Sequence, residues 1–498
     1  MSLYLLKNFP HSSAVLLVIY HRLTTVLISC LALFAGSTAS IVNANVELPS
    51  IGENSAGLIS PSQEYDLGRK ALRQYRAYFP LAQDPYFEAY LDNLLDNMLV
   101  HSGLPDRPLS LLVINDRNLN AFAAPGGIVG VNTGTFLIAQ NEQQLASILA
   151  HELAHLSQRH YARRVAYQKS QAPLNWASML ASVLIMASGN ADAGIAAMTA
   201  AQGRQMSNAL AFSRDMEREA DRVGIETMAS AGYDPHAMPD MFEQLLRASR
   251  YRAKIPEFLL THPVTESRIS DASNRSRNYP VKQYPQDQNF QILKARAILH
   301  HESSAQFAVK RFTSELNGIT LSPLAARYGL VHALINANRP DDAIKEFELL
   351  AKNYNHLLAV RITKADIYAA DERFDLALEI LKKELAITPN NHILNIRYAE
   401  VLMEATQYEL GESVLQAHVK RHPENAYVWY LLAETHGLAG HIFEVHKARA
   451  EYFILLGRYE KAEIQLRNAL NLAGEKKSVK ARLEERLAYV RKLKQERI

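Results

Sequence analysis

The chain is nearly without sulfur chemistry. Cys30 is the only cysteine in 498 residues, so no disulfide, thiolate zinc site or cysteine nucleophile can form beyond the first segment. Acid is missing from the N-terminus. No Asp or Glu precedes Glu47, and Lys7 and Arg22 are the only Lys or Arg before it. The apolar run Leu23–Gly36 follows Arg22 and gives way to small residues, with exits at Ser37-Thr38-Ala39 and Val42-Asn43-Ala44. This order of basic, apolar and small residues is that of a secretory signal, expected to be cleaved after Ala44. A retained membrane anchor is the alternative, because Ala14–Tyr20 adds a second apolar patch. Charge of one sign is also lacking. The net charge is +3, and loss of Lys7 and Arg22 leaves +1, which implies no nucleic-acid partner.

What remains is ordinary for a folded chain. Hydrophobic residues at 48% and charged residues at 21% exclude both a largely disordered chain and a polytopic membrane protein, and the length calls for two or more domains. Two amphipathic helices are expected from Pro61 to His101, followed by short strands at Leu109–Ile114, Leu119–Ala123 and Ile128–Val131. Helical spacing returns over Glu142–Tyr167 and Arg204–Ala231, the second stopped by Gly232 and Pro235. Between them, Leu174–Gln202 is rich in Ala, Ser and Met. Its apolar part, Leu174–Ala187, is shorter than the roughly 20 residues of a membrane span, so it reads as a packed helical hairpin or a mobile lid over a cleft. Asn278-Tyr279-Pro280 and Tyr284-Pro285 mark a linker.

The C-terminal part repeats itself. Ala343, Ala377, Gly411 and Val445 are 34 residues apart, as are Leu330, Lys364, Tyr398 and Leu432, and Leu334, Tyr368, Leu402 and His436. That period belongs to tetratricopeptide repeats. A last pair around Tyr459, Ala462 and Ala469 restarts the pattern out of register. The expected organisation is a signal peptide at 1–44, a metallopeptidase domain at 45–280 and a repeat domain at 281–498. The fold class is α+β and mostly helical, a zincin-type domain followed by an all-α solenoid.

The chemistry lies in His151-Glu152-Leu153-Ala154-His155. Two imidazoles at i and i+4 share one helical face. Together they can hold Zn²⁺, while Glu152 reaches a water on the ion as general base. The metzincin extension fails, since position 158 is Gln and 161 is Tyr. His160, one residue out of step, is expected on the helix flank as a solvated or packing residue. A third ligand must come from elsewhere. Glu217 and Asp221 form a second i, i+4 pair, able to supply a zinc carboxylate and an outer acceptor for a ligand histidine. A salt-bridged surface helix with Arg214, Arg218 and Arg222 is the alternative.

These motifs, with Asn120-Ala-Phe-Ala-Ala-Pro125-Gly126-Gly127 upstream, resemble the peptidase family that includes CAAX prenyl proteases and mitochondrial and bacterial quality-control proteases. The leader and the repeats make the architecture similar to the branch of that family acting in the bacterial periplasm. The resemblance implies one zinc per chain, held by His151, His155 and Glu217, with Asp221 as second-shell partner of Glu217. It implies an edge strand at Ala121, Phe122, Ala123 and Ala124 on which substrate lies extended, although Gly126-Gly127 also suits a plain hairpin turn. Thr261-His262-Pro263 and Arg268 match the family's late His and Arg. Arg268 is then a cation for the oxyanion. His262 either hydrogen-bonds that oxyanion or fills the open zinc position and holds the enzyme latent; an N-capping loop before the helix at Arg268 is the plainer reading of this segment.

Two functions compete. One is a zinc endopeptidase that, by resemblance, degrades misassembled outer-membrane beta-barrel proteins and assists their assembly, docking on assembly machinery through its repeats, with peripheral membrane association left open. The other is a repeat-based scaffold or chaperone whose metal site is idle or structural.

Overall fold

The computed structural model describes residues 59–498 except 105–108, 188–190, 252–256, 319, 321 and 496–498. The expected signal segment, 1–44, and its cleavage site lie outside the described residues.

Helix α1 (Pro61–Tyr78) starts on a capping box between Ser60 and Gln63, and α2 (Pro85–Leu99) on the Asp84 carboxylate; each has Pro at its first position, where a missing N–H costs nothing. Phe87, Leu91, Leu95 and Met98 recur at helical spacing along α2 and are buried. Three strands follow, β1 (Ser110–Ile114), β2 (Ala121–Ala124) and β3 (Ile128–Asn132), in the order β1-β3-β2. β1 runs parallel to β3 and β2 antiparallel, so β2 is an edge. The second strand thus begins two residues later than expected, because the chain at Leu119 and Asn120 is buried without pairing as a strand. The β2–β3 turn needs Gly126 and Gly127, whose φ values are +80° and +79°. Gly68 of α1 packs on that turn so closely that a Cβ would sit 2.2 Å from the Pro125 carbonyl.

After the short α3 (Thr135–Ile138), α4 (Glu142–Ser157) runs through the centre with every residue from Gln144 to Ala154 buried. The helix expected over Glu142–Tyr167 is in fact two. It breaks at Arg159, whose φ is +51°, and α5 (His160–Ala187) starts in a new direction. Arg159 is held in the break by Glu64 Oε2 at 3.0 Å and the Ile59 carbonyl at 2.6 Å. α6 (Ala191–Ser230) returns against both α4 and α5. α7 (Ala237–Tyr251), the short α8 (Glu257–Thr261) and α9 (Glu266–Ser276) complete this part.

Six helix pairs follow: α10 (Gln288–His301) with α11 (Ala305–Asn317), α12 (Pro323–Asn336) with α13 (Pro340–Tyr354), α14 (Leu358–Ala370) with α15 (Phe374–Ile387), α16 (His392–Glu404) with α17 (Tyr408–Arg421), α18 (Ala426–Leu438) with α19 (Ile442–Leu455), and α20 (Tyr459–Leu472) with α21 (Lys477–Gln495). The 34-residue period reappears in the backbone. Asn338, Glu372, Thr406 and Gly440 have φ of +56°, +56°, +59° and +79°. The N–H of each following residue donates to the carbonyl of Leu334, Tyr368, Leu402 or His436 at 2.8–2.9 Å. This is the helix-terminating Schellman bond, so the aligned positions in sequence mark the point where each first helix stops.

Helix α10 has two faces. Phe290, Leu293 and Ala297 enter the core built by α2, α4, α7 and the sheet, whereas Ile292, Ala295 and Ile298 join the core of the next repeat. The repeat array therefore starts inside the hydrophobic core it follows, and Gly57–Ile498 is one compact unit.

Candidate metal centre

Helix α4 carries His151 and His155 one turn apart, with their Nε2 atoms 3.1 Å from each other. Helix α6 brings Glu217 across, 3.4 Å from His151 Nε2 and 3.5 Å from His155 Nε2. The loop between α8 and α9 adds His262, whose Nδ1 is 3.3 Å from His151 Nε2 and 3.1 Å from both Glu217 oxygens. One donor atom from each of the four residues lies within 4.8 Å of the others. Zn–N bonds of 2.0–2.1 Å around a tetrahedral ion place neighbouring donors about 3.3 Å apart, which is the spacing seen.

Each ligand candidate has an outer partner. Asp221, one turn beyond Glu217, is 2.9 Å from His151 Nδ1, and Arg268 grips Asp221 with Nε at 2.8 Å and Nη2 at 2.7 Å. Asp221 therefore orients His151, rather than partnering Glu217 directly. Arg268 is the link to Glu217, with Nη1 3.0 Å from Oε2. The break at Arg159 turns His160 inward, Nδ1 to Nδ1 at 2.8 Å from His155. His160 Nε2 then meets Glu219 at 3.3 Å, which Arg163 holds at 2.7 Å. His160 is buried and is not a flank residue.

Electrostatics divide the carboxylates. Burial alone would raise Glu217 and Asp221, but hydrogen bonds and charge from His151, His262 and Arg268 overcome it and hold both below the ordinary range. Glu152 goes the other way. Burial raises its pKa against the pull of His262, His151 and the Ala123 backbone N–H; His262 Nε2 is 3.5 Å from Oε1, yet neither carboxylate oxygen has a hydrogen bond of good geometry among the described residues. Buried groups are rarely left so. A base facing a water on an ion accounts for it, and the donor set with this orphan carboxylate fits a zinc ion. His151 is drawn down by burial and up by Asp221 and Glu217, ending at about 9, whereas His155 is pushed well down by burial and by His151.

The centre opens into a cleft of about 310 Å³ lined by Glu152, His155, His262, Tyr161 and β2 from Phe122 to Ala124. Phe122 lies across Gly130, where a Cβ would sit 2.3 Å from its ring. Tyr75 meets the same ring edge-on at 5.4 Å. Arg268 does not line the cleft, and its bonds to Asp221, Glu217 and the Pro263 carbonyl point away from it. Its contacts are with the carboxylates behind the donors, so the expected oxyanion role has no contact supporting it here. Thr265 caps α9 through the N–H of Arg268 at 3.2 Å, so the capping reading of this loop holds too, beside an inward-turned His262. Sequence reading missed Glu219 and the part played by His160, since the turn at Arg159 that exposes them uses a residue with no preference for positive φ.

The model of Peptidase family M48 matches residues 85–276, and a tetratricopeptide-repeat model matches 368–435. The "Beta-barrel assembly-enhancing protease" of Escherichia coli (strain K12) is 30% identical over 450 residues, 90% of this chain and 92% of its own. The "Putative beta-barrel assembly-enhancing protease" of Vibrio cholerae is 34% identical over 439 residues, covering 87% and 90%. The "Mitochondrial metalloendopeptidase OMA1" of Schizosaccharomyces pombe is 32% identical over 180 residues, 36% of this chain and 50% of its own. With the fold and the converging donors, these likenesses assign the chain to the beta-barrel assembly-enhancing proteases of peptidase family M48, zinc metallopeptidases that carry tetratricopeptide repeats.

Proposed function

We propose that this metallopeptidase is an endopeptidase of the bacterial periplasm whose zinc is held by His151, His155 and Glu217, with His262 as a fourth donor that keeps the site closed until it moves. The observation that carries this reading is the convergence of four donor atoms within 4.8 Å beside the buried Glu152 carboxylate. When bound, the ion supplies Lewis acidity to the attacked carbonyl and acidity to a water.

The chain's own residues supply the rest. Glu152, with its raised proton affinity, takes a proton from the attacking water and returns it to the leaving amine. Substrate lies along the free edge of β2. The Asn132 N–H donates to the Asn120 carbonyl, so by antiparallel alternation Phe122 and Ala124 bond β3 while Ala121 and Ala123 aim their N–H and C=O outward. His262 Nε2 is 3.5 Å from Glu152 Oε1, and its ring stands between base and ligand set. Arg268 and Asp221 hold His151 and Glu217 in place. The relatives' names refer to beta-barrel assembly; carried over, outer-membrane beta-barrel proteins are the clients, degraded when misassembled, and the repeats are the docking surface for them and for assembly machinery. A peptidase assay on β-casein and on an unfolded beta-barrel protein tests this: wild type cleaves both, and Glu152→Gln cleaves neither while keeping zinc. Full activity in Glu152→Gln would overturn it.

A further inference from the structure

Three histidines far from the catalytic cleft converge in the repeat array. His392 opens α16, while His418 and His422 lie one turn apart at the end of α17, the same i, i+4 spacing as His151 and His155. His392 Nδ1 faces His418 Nε2 at 2.9 Å, and one nitrogen from each of the three rings lies within 4.8 Å of the other two. We propose that His392, His418 and His422 form a second transition-metal site, a three-imidazole site for Zn²⁺ with a fourth position left to water, which fastens the fourth repeat pair to helix α2.

Three observations support it. The His418 ring is fully buried and its Nδ1 has no hydrogen-bond partner among the described residues; a buried polar atom left unpaired is unfavourable, so packing alone does not explain a histidine there. An outer carboxylate is present as well. Glu88 of α2 stands 3.8 Å from His392 Nε2, the nitrogen turned away from the cluster, and is fixed by Asn425 Nδ2 at 2.9 Å. A carboxylate behind a ligand histidine is the usual companion of a zinc site, and Asp221 behind His151 shows the same device in this chain. Access is open enough for an ion, with the His392 side chain 13% exposed.

The contrast with a third cluster is instructive. His436 and His441 both direct Nδ1 at Glu412 Oε1, each at 2.7 Å; these groups satisfy one another and ask for no ion. At His392, His418 and His422 no acid among the described residues joins the cluster, and a cation is what three converging ring nitrogens lack. Imidazole donors suit Zn²⁺, with Cu²⁺ and Ni²⁺ of the same class. The location gives the site a consequence, since α16 packs on α2 and α2 carries a large part of the peptidase core.

Zinc titration of metal-stripped, processed protein tests the site separately from the catalytic one. Wild type is expected to bind two equivalents. His151→Ala/His155→Ala protein should still bind one, with an X-ray absorption signature of three nitrogens from imidazole, and the bound ion should raise its unfolding temperature. Adding His422→Gln, at a half-buried helix end where the fold tolerates change, should weaken that remaining ion by more than about 100-fold, the upper end for loss of an outer partner alone. His422→Gln in the otherwise wild-type chain should keep peptidase activity and one zinc. Absence of zinc from the His151→Ala/His155→Ala protein, or an ion there that is unmoved by His422→Gln in a chain with native circular dichroism, overturns the proposal.

Discussion

Arg268 clasps Asp221 through two nitrogens, at 2.8 and 2.7 Å, and the same guanidinium lies 3.0 Å from Glu217 Oε2. One buried cation thus aligns the carboxylate behind His151 with the carboxylate of the candidate third ligand. A positioning residue of this kind acts through the metal. Arg268→Ala is expected to weaken zinc binding about 10–100-fold and to lower activity that excess zinc partly restores. If Arg268 instead met the oxyanion, zinc affinity would hold and kcat alone would drop by about 10²–10³. Measuring zinc affinity and kcat on the same preparation separates the two.

On the proposed reading, His262 keeps the centre closed. Its Nδ1 lies at ligand distance scale from His151 and Glu217, and its Nε2 is turned to Glu152. With the ring gone, His262→Ala should cleave casein faster than wild type, by about an order of magnitude if closure is worth about 1.4 kcal/mol. A loss of activity at unchanged zinc content would instead assign His262 to the oxyanion.

Edge-strand binding makes a sharp demand on Ala123. Its N–H lies outside the β3 ladder and also reaches the Glu152 carboxylate, so proline there removes an outward donor and no bond to β3, a position where an edge strand tolerates proline. Ala123→Pro is expected to keep the fold and zinc while raising KM for extended peptides. Phe122→Pro, by contrast, breaks the β3 ladder and should lower the melting temperature. Equal effects from the two substitutions would contradict the pairing pattern.

These expectations also show what could be read early. The paired i, i+4 motifs are local, and helix geometry alone puts each pair on one face, so His151, His155, Glu217 and Asp221 were all legible. Their mutual arrangement was not. Asp221 could have served either Glu217 or a histidine, and only the crossing of α4 and α6 sends it to His151 Nδ1. The Arg159 break escaped because it interrupts an otherwise continuous helical pattern with a residue that carries no turn signal. The repeat period was plain, yet the role of α10 in two cores was hidden, since a helix buried on opposite faces shows no single apolar stripe. The described residues of Leu174–Gln202 lie in α5 and α6, with Leu174, Met179 and Ile195 exposed, and no described helix is long and apolar enough to cross a membrane.

Asp84 joins the first core to the repeats and makes stability depend on acid. It caps α2 through the Tyr86 N–H at 3.0 Å and pairs with Arg296 at 2.8 Å and His300 at 2.9 Å. Burial would raise its pKa, but Arg296 and His300 together hold it below the ordinary carboxylate range. A carboxylate depressed by folding adds stability above its unfolded pKa, near 3.9, and that contribution is lost as pH falls through the lower folded value. Asp84→Asn keeps a capping oxygen but leaves Arg296 without its counter-charge, which costs about 3–5 kcal/mol for a buried pair. Thermal melts should therefore show the variant less stable at pH 7, with the gap to wild type narrowing below about pH 4.

Glu152 is the residue at which catalysis and the proposed assembly role can be tested apart. Glu152→Gln removes the base but keeps size, and it relieves a buried carboxylate whose charged form burial disfavours, so the variant should be at least as stable as wild type. Zinc should stay, because Glu152 is not among the four converging donors. Peptidase activity should fall by about 10²–10⁴, the usual worth of a general base. In cells lacking the native protein, the variant then divides the two roles. Rescue of beta-barrel assembly without proteolysis would place that role in the repeat array and its docking surface. Failure to rescue, with zinc and melting temperature intact, would show that clients must be cut for assembly to proceed.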